Sequence, residues 1–201
     1  SQIAYMLATA EHESDNFRTS REYNGPAQAR RLGYGGGEEF YGRGYVQITH
    51  DHRYLAMGEA LGMGTALRDD PERAANDPRL AADLLVVGLQ RGLYTGRALD
   101  RYINENGVDY ANARRVVNGV DRAEHIAELA RGWEAHVPSL IEQARENPVD
   151  VTPRGDLPRQ VGDDRRTDGR STPPRAAFDN NAFDLGDRGI GVETLQRQLI
   201  Q

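Results

Sequence analysis

The sequence predicts a mainly α-helical domain with irregular loops and at most a very small β element. Two observations support this expectation. Apolar residues recur at helical spacing in several separate segments, and a stretch rich in glycine and other turn-forming residues separates the first segment from the others. The chain has 201 residues, 38% of them hydrophobic, and no cysteine. This length is enough for one buried core, and the fold cannot contain a disulfide.

The first element should be a helix that ends near residues 14–16. Its apolar residues follow the i, i+3, i+4, i+7 rule of an amphipathic helix: Ile3, Met6, Leu7 and Ala10. Glu13 then lies in the last turn of this helix. Residues 17–44 lack such a pattern and contain Asn-Gly-Pro at 24–26 and three glycines at 35–37. We therefore expect loops and turns there rather than a packed element.

Helical patterns return after this loop. They cover residues 52–61, 78–91, 97–103 and 110–117. Asp77 is expected to cap the second of these helices. Pro78 should stand at the first helical position, where the missing N–H has no partner to lose.

The longest helix should begin at a capping box. Asp121 can accept a hydrogen bond from the amide of Glu124, while the Glu124 side chain reaches back to the helix start. The residues expected on the buried stripe of this helix are Ile126, Leu129, Ala130, Trp133 and Val137. Pro138 should kink or end the helix because proline has no N–H to donate.

The composition changes after residue 146. Residues 147–184 are rich in proline, arginine, aspartate and glycine and show almost no apolar periodicity until Phe178, so we expect a flexible linker. Residues 185–201 read LGDRGIGVETLQRQLIQ and carry Val192, Leu195 and Leu199 at helical spacing. The predicted organisation is a folded domain over residues 1–146, a linker over 147–184 and the beginning of a second module over 185–201.

Charge and composition exclude several classes of function. The formal net charge is −6, and no basic stripe interleaves with aromatic residues, so nucleic acid is not expected as a partner. No apolar run approaches the roughly 20 residues that cross a bilayer, so no membrane segment is expected. Without cysteine, the chain cannot use a thiolate nucleophile.

Two carboxylates near the end of the first helix are candidates for cleaving a glycosidic bond. That reaction needs one protonated carboxyl group and one ionised carboxylate. Glu13 at a helix end and Glu22 in the following loop can face each other across a cleft; an inverting enzyme needs about 6.5 to 9.5 Å between the two groups. Spacing alone leaves other acids open: Glu11, Asp15, Glu38 and Glu39.

The segment YGRGYVQITH at 41–50 is the second candidate region. If it is extended, the polar side chains of Gln47 and Thr49 point to one side, as in the wall of a cleft. The alternative is a glycine-rich surface turn that leads into a short strand.

A metal site is the third possibility. Imidazoles are common zinc ligands, and the chain has His12, His50 and His52 near the candidate acids. However, His12-Glu13 lacks the second histidine of an H-E-x-x-H motif. We expect His12 to be a buried, hydrogen-bonded side chain that steadies the helix end.

Four strings together resemble family 19 glycoside hydrolases, which include plant-type chitinases and related phage and bacterial endolysins. They are AEHESDNF from Ala10, Glu22 in the next loop, YGRGYVQITH from Tyr41 and VVNG from Val116. The resemblance covers residues 1–137. Arg53 departs from it, because the family usually has asparagine before the aromatic residue that is Tyr54 here.

The resemblance implies a lysozyme-like, two-lobed helical domain with an inverting mechanism and no metal or organic cofactor. It implies that Glu13 is the general acid, that Glu22 is the general base and that Thr49 helps to hold the attacking water. Gln47 and Asn118 match positions that contact sugar, and Tyr41 and Tyr54, which lie in the matching motif beside the cleft, are also expected to bind substrate.

The substrate implied is a β-1,4-linked polymer of N-acetylamino sugars. The segment from Leu185 resembles the start of a peptidoglycan-binding repeat, which favours an endolysin that acts on peptidoglycan over a chitinase that uses the same residues. Different classes that stay open are a zinc wall peptidase and a non-catalytic wall-binding protein. We expect a monomer that is secreted or delivered by a phage to the bacterial cell wall.

Overall fold

The computed structural model describes residues 1–147, which form a mainly α-helical domain. The helices are α1 (Gln2–Glu13), α2 (Gly25–Leu32), α3 (Asp51–Ala60), α4 (Ala66–Asp69), α5 (Arg73–Asn76), α6 (Pro78–Arg91), α7 (Tyr110–Ala113), α8 (Ala123–Glu134) and α9 (Val137–Glu146). Short 3₁₀ turns lie at Glu38–Phe40, Leu99–Arg101 and Arg114–Val116. Strands β1 (Ile103–Asn104) and β2 (Gly107–Val108) form an antiparallel pair. The mainly helical class with a very small β element is thus confirmed, whereas the predicted linker and the module from residue 185 lie outside the described residues.

Helix α1 is the central element of the domain. Residues 4–10 are buried on every side of the helix, not only on one stripe. This burial is possible because residues 4–10 carry no charge and because Ala4, Ala8 and Ala10 let neighbouring helices approach closely. Helices α8 and α6 pack against α1. The last turn of α1, with Glu13, therefore has a fixed position relative to the core.

One continuous hydrophobic core surrounds α1 and α6. The largest side chains that are fully buried in it include Tyr5, Leu7, Tyr45, Ile48, Tyr54, Met57, Leu67, Leu84, Leu85, Leu89, Leu99 and Ile103. They come from the helices and also from the loop around residues 45–48, so the core anchors that loop. Within residues 1–147, none of the helices has the length and apolar character needed to cross a membrane.

The start of α6 agrees with its sequence prediction. The Asp77 carboxylate accepts hydrogen bonds from the amides of Arg79 and Leu80 at 3.0 and 3.2 Å. Pro78 occupies the first turn, and Gly92 follows the last helical residue with a φ of 69°, which suits a residue without a side chain.

Residues 17–44 contain more structure than the turn signals predict. The Asn-Gly-Pro string is the start of α2, because Pro26 fits a first helical turn and Asn24 precedes the helix with a φ of 55°. Gly33 ends α2 in a left-handed conformation. The expectation of loops alone was therefore wrong for residues 25–32, where proline marks a helix start.

Two further expectations about the helices were wrong. Residues 97–103 form a 3₁₀ turn and a strand, since the side chain of Asn104 bonds the Asp100 carbonyl and β1 pairs with β2. The capping box of Asp121 and Glu124 is absent: Arg122 precedes α8 with a φ of 57°, and no side chain caps that helix start.

Pro138 lies beyond the end of α8 rather than within that helix. The helix ends at Glu134, and Pro138 lies in the first turn of the next helix, α9. On the predicted stripe, Ile126 and Ala130 are fully buried, whereas Trp133 and Val137 are only partly buried. Trp133 thus remains accessible from one side.

Two helical glycines provide a matched test of this packing. A methyl group at Gly88 would overlap the ring of Tyr94, whereas a methyl group at Gly132 meets nothing within 4 Å. We expect Gly88→Ala to lower the free energy of unfolding by about 1 to 3 kcal/mol through overpacking. Gly132→Ala should instead raise it by about 0.5 to 1 kcal/mol through helix propensity. Urea unfolding followed by circular dichroism measures both; equal effects would contradict the packing of Tyr94 against α6.

Candidate active site

A cleft of about 460 Å³ opens beside the end of α1. The side chains that line it come from α1, the following loop, the 41–50 segment and α8: Glu11, His12, Glu13, Asp15, Asn16, Thr19, Arg21, Glu22, Tyr23, Gln47, His125 and Leu129. Both predicted carboxylates, Glu13 and Glu22, are among them. The structure therefore brings the two residues to one cavity although they lie on a helix and on an irregular loop.

The chain reverses sharply after Glu13. Asp15, Asn16 and Phe17 all have positive φ angles, of 49°, 57° and 61°. Aspartate and asparagine tolerate this left-handed conformation, but a phenylalanine needs compensation. Ser14 supplies it: its hydroxyl donates to the Ala10 carbonyl at 2.6 Å and accepts from the Phe17 amide at 3.0 Å. This turn returns the loop to the cleft and so places Glu22 on the same cavity as Glu13.

A buried arginine holds the carboxyl group of Glu13. Nη1 of Arg114 donates to Oε1 of Glu13 at 2.6 Å, and Nε of Arg114 donates to the Asp121 carbonyl at 3.0 Å. The Arg114 side chain is 3% exposed, and the Glu13 side chain is 18% exposed. Because Arg114 engages Oε1, the rotamer of Glu13 is fixed, and no residue of the described part of the chain donates to Oε2.

Glu22 is held by two donors, one on each oxygen. The hydroxyl of Tyr34 donates to Oε1 at 3.0 Å, and the backbone amide of Gly42 donates to Oε2 at 3.0 Å. Burial and the bond to Glu22 raise the pKa of Tyr34 to about 12, so its phenol remains a donor. Each carboxylate oxygen keeps a second lone pair, which can accept a hydrogen bond from water.

An ion-pair network fixes the loop on both sides of this carboxylate. Nη2 of Arg43 donates to Oε1 of Glu72 at 2.6 Å, and Nη2 of Arg21 donates to Oε2 of Glu72 at 2.9 Å. Burial would raise the pKa of Glu72, but the hydrogen bonds and charges of the two arginines, with a bond from Tyr41, hold it below its usual value. Arg21 precedes Glu22, and Arg43 follows Gly42. The network therefore positions both the carboxylate and one of its donors.

The segment 41–50 is a turn, not an extended wall. Arg43 and Ile48 exchange both backbone hydrogen bonds, and Gly44 and Gln47 between them have positive φ angles. Gln47 lines the cleft, and its side-chain amide donates to the Gly44 carbonyl at 2.9 Å. The expectation that Gln47 and Thr49 point to one side of an extended segment was wrong. The backbone reverses between Arg43 and Ile48, and Gln47 has a φ of 52°, which is not an extended conformation.

Four other predicted site residues do not line the cleft. Tyr54 is fully buried and donates to the Tyr41 carbonyl at 2.8 Å, so it cannot contact a sugar directly as predicted. The hydroxyl of Tyr41 donates to Glu72 at 3.0 Å, and its ring lies against the Arg43 guanidinium at 3.6 Å. Both tyrosines support the ion-pair network. Thr49 is half-buried, and Asn118 is exposed.

Histidines lie on both sides of the carboxylates. His12 and His125 line the cleft, with ring centroids 5.6 Å apart, and burial lowers the pKa of His12. Nδ1 of His50 accepts the Gly35 amide at 2.8 Å, and its ring packs on Tyr34. In the described part of the chain, no group of three or more histidine, aspartate or glutamate side chains is arranged to hold a metal ion.

Sequence reasoning missed the side chains that position the carboxylates. A signal for Arg114 was present: it follows Tyr110 by four residues and therefore shares the buried face of the same helical pattern. A charged residue on an apolar stripe requires a buried partner. Tyr34 and Glu72 gave no such signal, because their bonds to Glu22 and Arg43 join segments that only tertiary packing brings together.

The chain is similar over part of its length to plant endochitinases. An endochitinase of Arabidopsis thaliana is 38% identical over 85 residues, which is 40% of this chain and 29% of the relative. An acidic endochitinase of Solanum chilense is 29% identical over 77 residues, 38% of this chain and 30% of the relative. The chain thus spans less than a third of the length of these curated relatives. No family model matches the chain, and no solved structure gives a significant match.

Replacement of Arg114 tests the buried ion pair. Arg114→Gln leaves the Glu13 carboxylate partly buried without its cation, and we expect a loss of about 3 kcal/mol in the free energy of unfolding. The matched control is Arg115→Gln, since the Arg115 side chain bonds Asn112 at the surface and its replacement should change stability by less than about 0.5 kcal/mol. Urea unfolding measures both variants; an Arg114 variant as stable as its control would refute the pair.

The acceptor bond of His50 predicts a pH dependence of stability. Burial lowers the pKa of His50 below 6.5, so the unfolded chain binds the proton more tightly than the folded chain. Stability should therefore fall as the pH falls below about 6.5. His50→Gln keeps an acceptor but cannot titrate, and it should flatten this fall, whereas His52→Gln, at an exposed position, should not. Urea midpoints at pH 5 and pH 8 distinguish the two, and identical pH profiles would contradict the role of His50.

Proposed function

We propose that this domain is a glycosidase that hydrolyses β-1,4 bonds in a polymer of N-acetylamino sugars. The observation that carries the proposal is the cleft in which Glu13 and Glu22 meet, each held by donors that leave part of its carboxyl group free. Two carboxyl groups on one cleft are the chemical requirement of this reaction. The partial similarity to endochitinases supports chitin as the first candidate substrate.

Glu13 is proposed as the general acid. Arg114 pairs with Oε1 of the ionised Glu13 carboxylate, so the proton that the acid role requires is taken up on Oε2 and donated from there to the oxygen of the scissile bond. As that proton transfers, the bond between the anomeric carbon and the leaving oxygen breaks, and positive charge develops on the sugar ring. Fixing one oxygen of the acid lowers the entropic cost of aligning the other.

Glu22 is proposed as the general base. Tyr34 and Gly42 orient its carboxylate, and the free lone pairs can take a proton from a water on the other face of the sugar. The water oxygen then bonds to the anomeric carbon, which inverts its configuration. Gln47, which lines the same cleft, is the proposed sugar contact. Thr49 as water ligand and Asn118 as sugar contact enter the proposal from the family resemblance alone.

Peptidoglycan is the second candidate substrate. The sequence from Leu185 favours it, because this string resembles the start of a peptidoglycan-binding repeat. A tethered wall-binding module would raise the effective concentration of substrate at the cleft. In this version the domain is an endolysin, is secreted or delivered by a phage to the bacterial wall, and acts as a monomer.

Loss of either carboxylate should abolish most activity without unfolding the domain. If proton transfer contributes the usual factor of about 10² to 10⁴, Glu13→Gln and Glu22→Gln should each lower kcat by that amount. Glu39→Gln is the matched control, because Glu39 is exposed and lies outside the cleft. Initial rates on soluble chitin oligomers, with circular dichroism to verify folding, make the comparison. Unchanged rates in both site variants would refute the two-carboxylate mechanism.

One digestion experiment identifies the substrate and the stereochemistry of bond cleavage. Purified peptidoglycan and chitin oligomers are incubated side by side with the wild type and with Glu13→Gln, and the products are analysed by mass spectrometry. Products from chitin alone support a chitinase, and products from peptidoglycan support the endolysin. Proton NMR of fresh chitin products should show the α-anomer first, since a single displacement inverts a β-bond. Peptide fragments would instead indicate a peptidase.

A further inference from the structure

A second groove, of about 670 Å³, continues from the cleft along α8 and α9. Its wall combines apolar side chains with a few polar groups, and three residues line both cavities: Glu11, His125 and Leu129. The other residues that line the groove have no part in the acid and base roles proposed for Glu13 and Glu22. Because the two cavities share part of their walls, a linear ligand that leaves the cleft at His125 enters the groove directly.

Trp133 is the central side chain of this groove. Its ring nitrogen donates to Oε2 of Glu11 at 2.7 Å, and the edge of Phe17 packs against it with ring centroids 6.5 Å apart. These contacts hold the indole in one orientation before any ligand binds, which lowers the entropic cost of binding. Leu129 and Leu140 complete the apolar wall.

The chemistry of the groove matches a carbohydrate chain. The C–H faces of an N-acetylamino sugar and its acetyl methyl group are apolar and stack on an aromatic ring, whereas the hydroxyl groups at the ring edge require polar partners. His125 and Glu11 supply such partners next to Trp133. A single aromatic ring flanked by a carboxylate and an imidazole gives both kinds of contact.

We infer that this groove is an accessory subsite that binds the sugar units of the polymer that extend beyond the cleft. The inference rests on the proposed function and adds to it where the distal part of a long substrate lies. Long chains should therefore bind more tightly than short ones, and the difference should depend on Trp133 and the open space around Gly132.

Gly132 allows the groove to be filled without disturbing the fold. A Cβ added there meets nothing within 4 Å, and Gly132 lines the groove, so Gly132→Phe is the variant chosen to fill the groove while α8 keeps its packing. Gly132→Ala adds only a methyl group and serves as the control. Both are made in the full chain carrying Glu13→Gln, so that the ligand is not consumed during binding.

The experiment compares two probes by calorimetry: a trimer and a hexamer of β-1,4-linked N-acetylglucosamine. We expect Gly132→Phe to weaken hexamer binding about tenfold and trimer binding less than twofold, with no change in Gly132→Ala. Unchanged hexamer binding overturns the inference, and so does an equal loss for both probes. Thermal unfolding confirms that each variant is folded.

Tryptophan fluorescence locates the ligand, because Trp133 is the single tryptophan of the chain. The hexamer should shift its emission and shield it from acrylamide. An indole already shielded in the free protein would mean that a protein segment or a second copy covers the groove, which overturns the inference. Hydrolysis of the hexamer by the wild type is measured separately: its absence contradicts the proposed function, whereas a tryptophan response without hydrolysis leaves the subsite standing.

Discussion

The buried guanidinium of Arg43 is the constraint on which the loop side of the cleft depends. It bonds Glu72, the Glu39 carbonyl and the Tyr54 hydroxyl, and it stacks on the ring of Tyr41. A buried cation requires this many partners, because an unmet charge in a core costs several kcal/mol. The hydrogen bonds of the Arg43 guanidinium hold the 41–50 segment in its turn. In this turn the Gly42 amide donates to Glu22.

The two carboxylates are positioned by different physical means. Glu13 is fixed by a regular helix and by one long-range ion pair, so its place follows from core packing. Glu22 lies on irregular backbone and takes its place from hydrogen bonds that neighbouring turns supply. Gly42 is essential to the second arrangement, since a side chain there would lie within 3.3 Å of Glu22 and closer still to Gln47.

The sequence predicts the regular parts of this molecule well and the supports of the site poorly. The spacing in α1 and the Asp77-Pro78 pair suffice for those helices, because their signals are local. Asn24-Gly25-Pro26 was misread because the same residues suit a turn and a helix start. The bond from Tyr34 to Glu22 and the links of Arg21 and Arg43 to Glu72 have no local signature, since they join segments distant in sequence. Tyr54 matches a family motif, yet its burial shows that a motif residue can serve the scaffold.

The packing of α1 on α8 has a consequence for how the molecule is made. Trp133 of α8 follows Glu11 of α1 by 122 positions. At about 5 to 20 residues per second, the ribosome needs on the order of 10 s to synthesise that interval. During this time the face of α1 that packs on α8 has no partner, and for most of it Glu13 exists without Arg114. Contacts so distant in sequence also slow the folding of the released chain, because loop closure precedes the gain in burial. Assembly of the cleft is therefore a late event, governed by the arrival of the helix that also carries the groove.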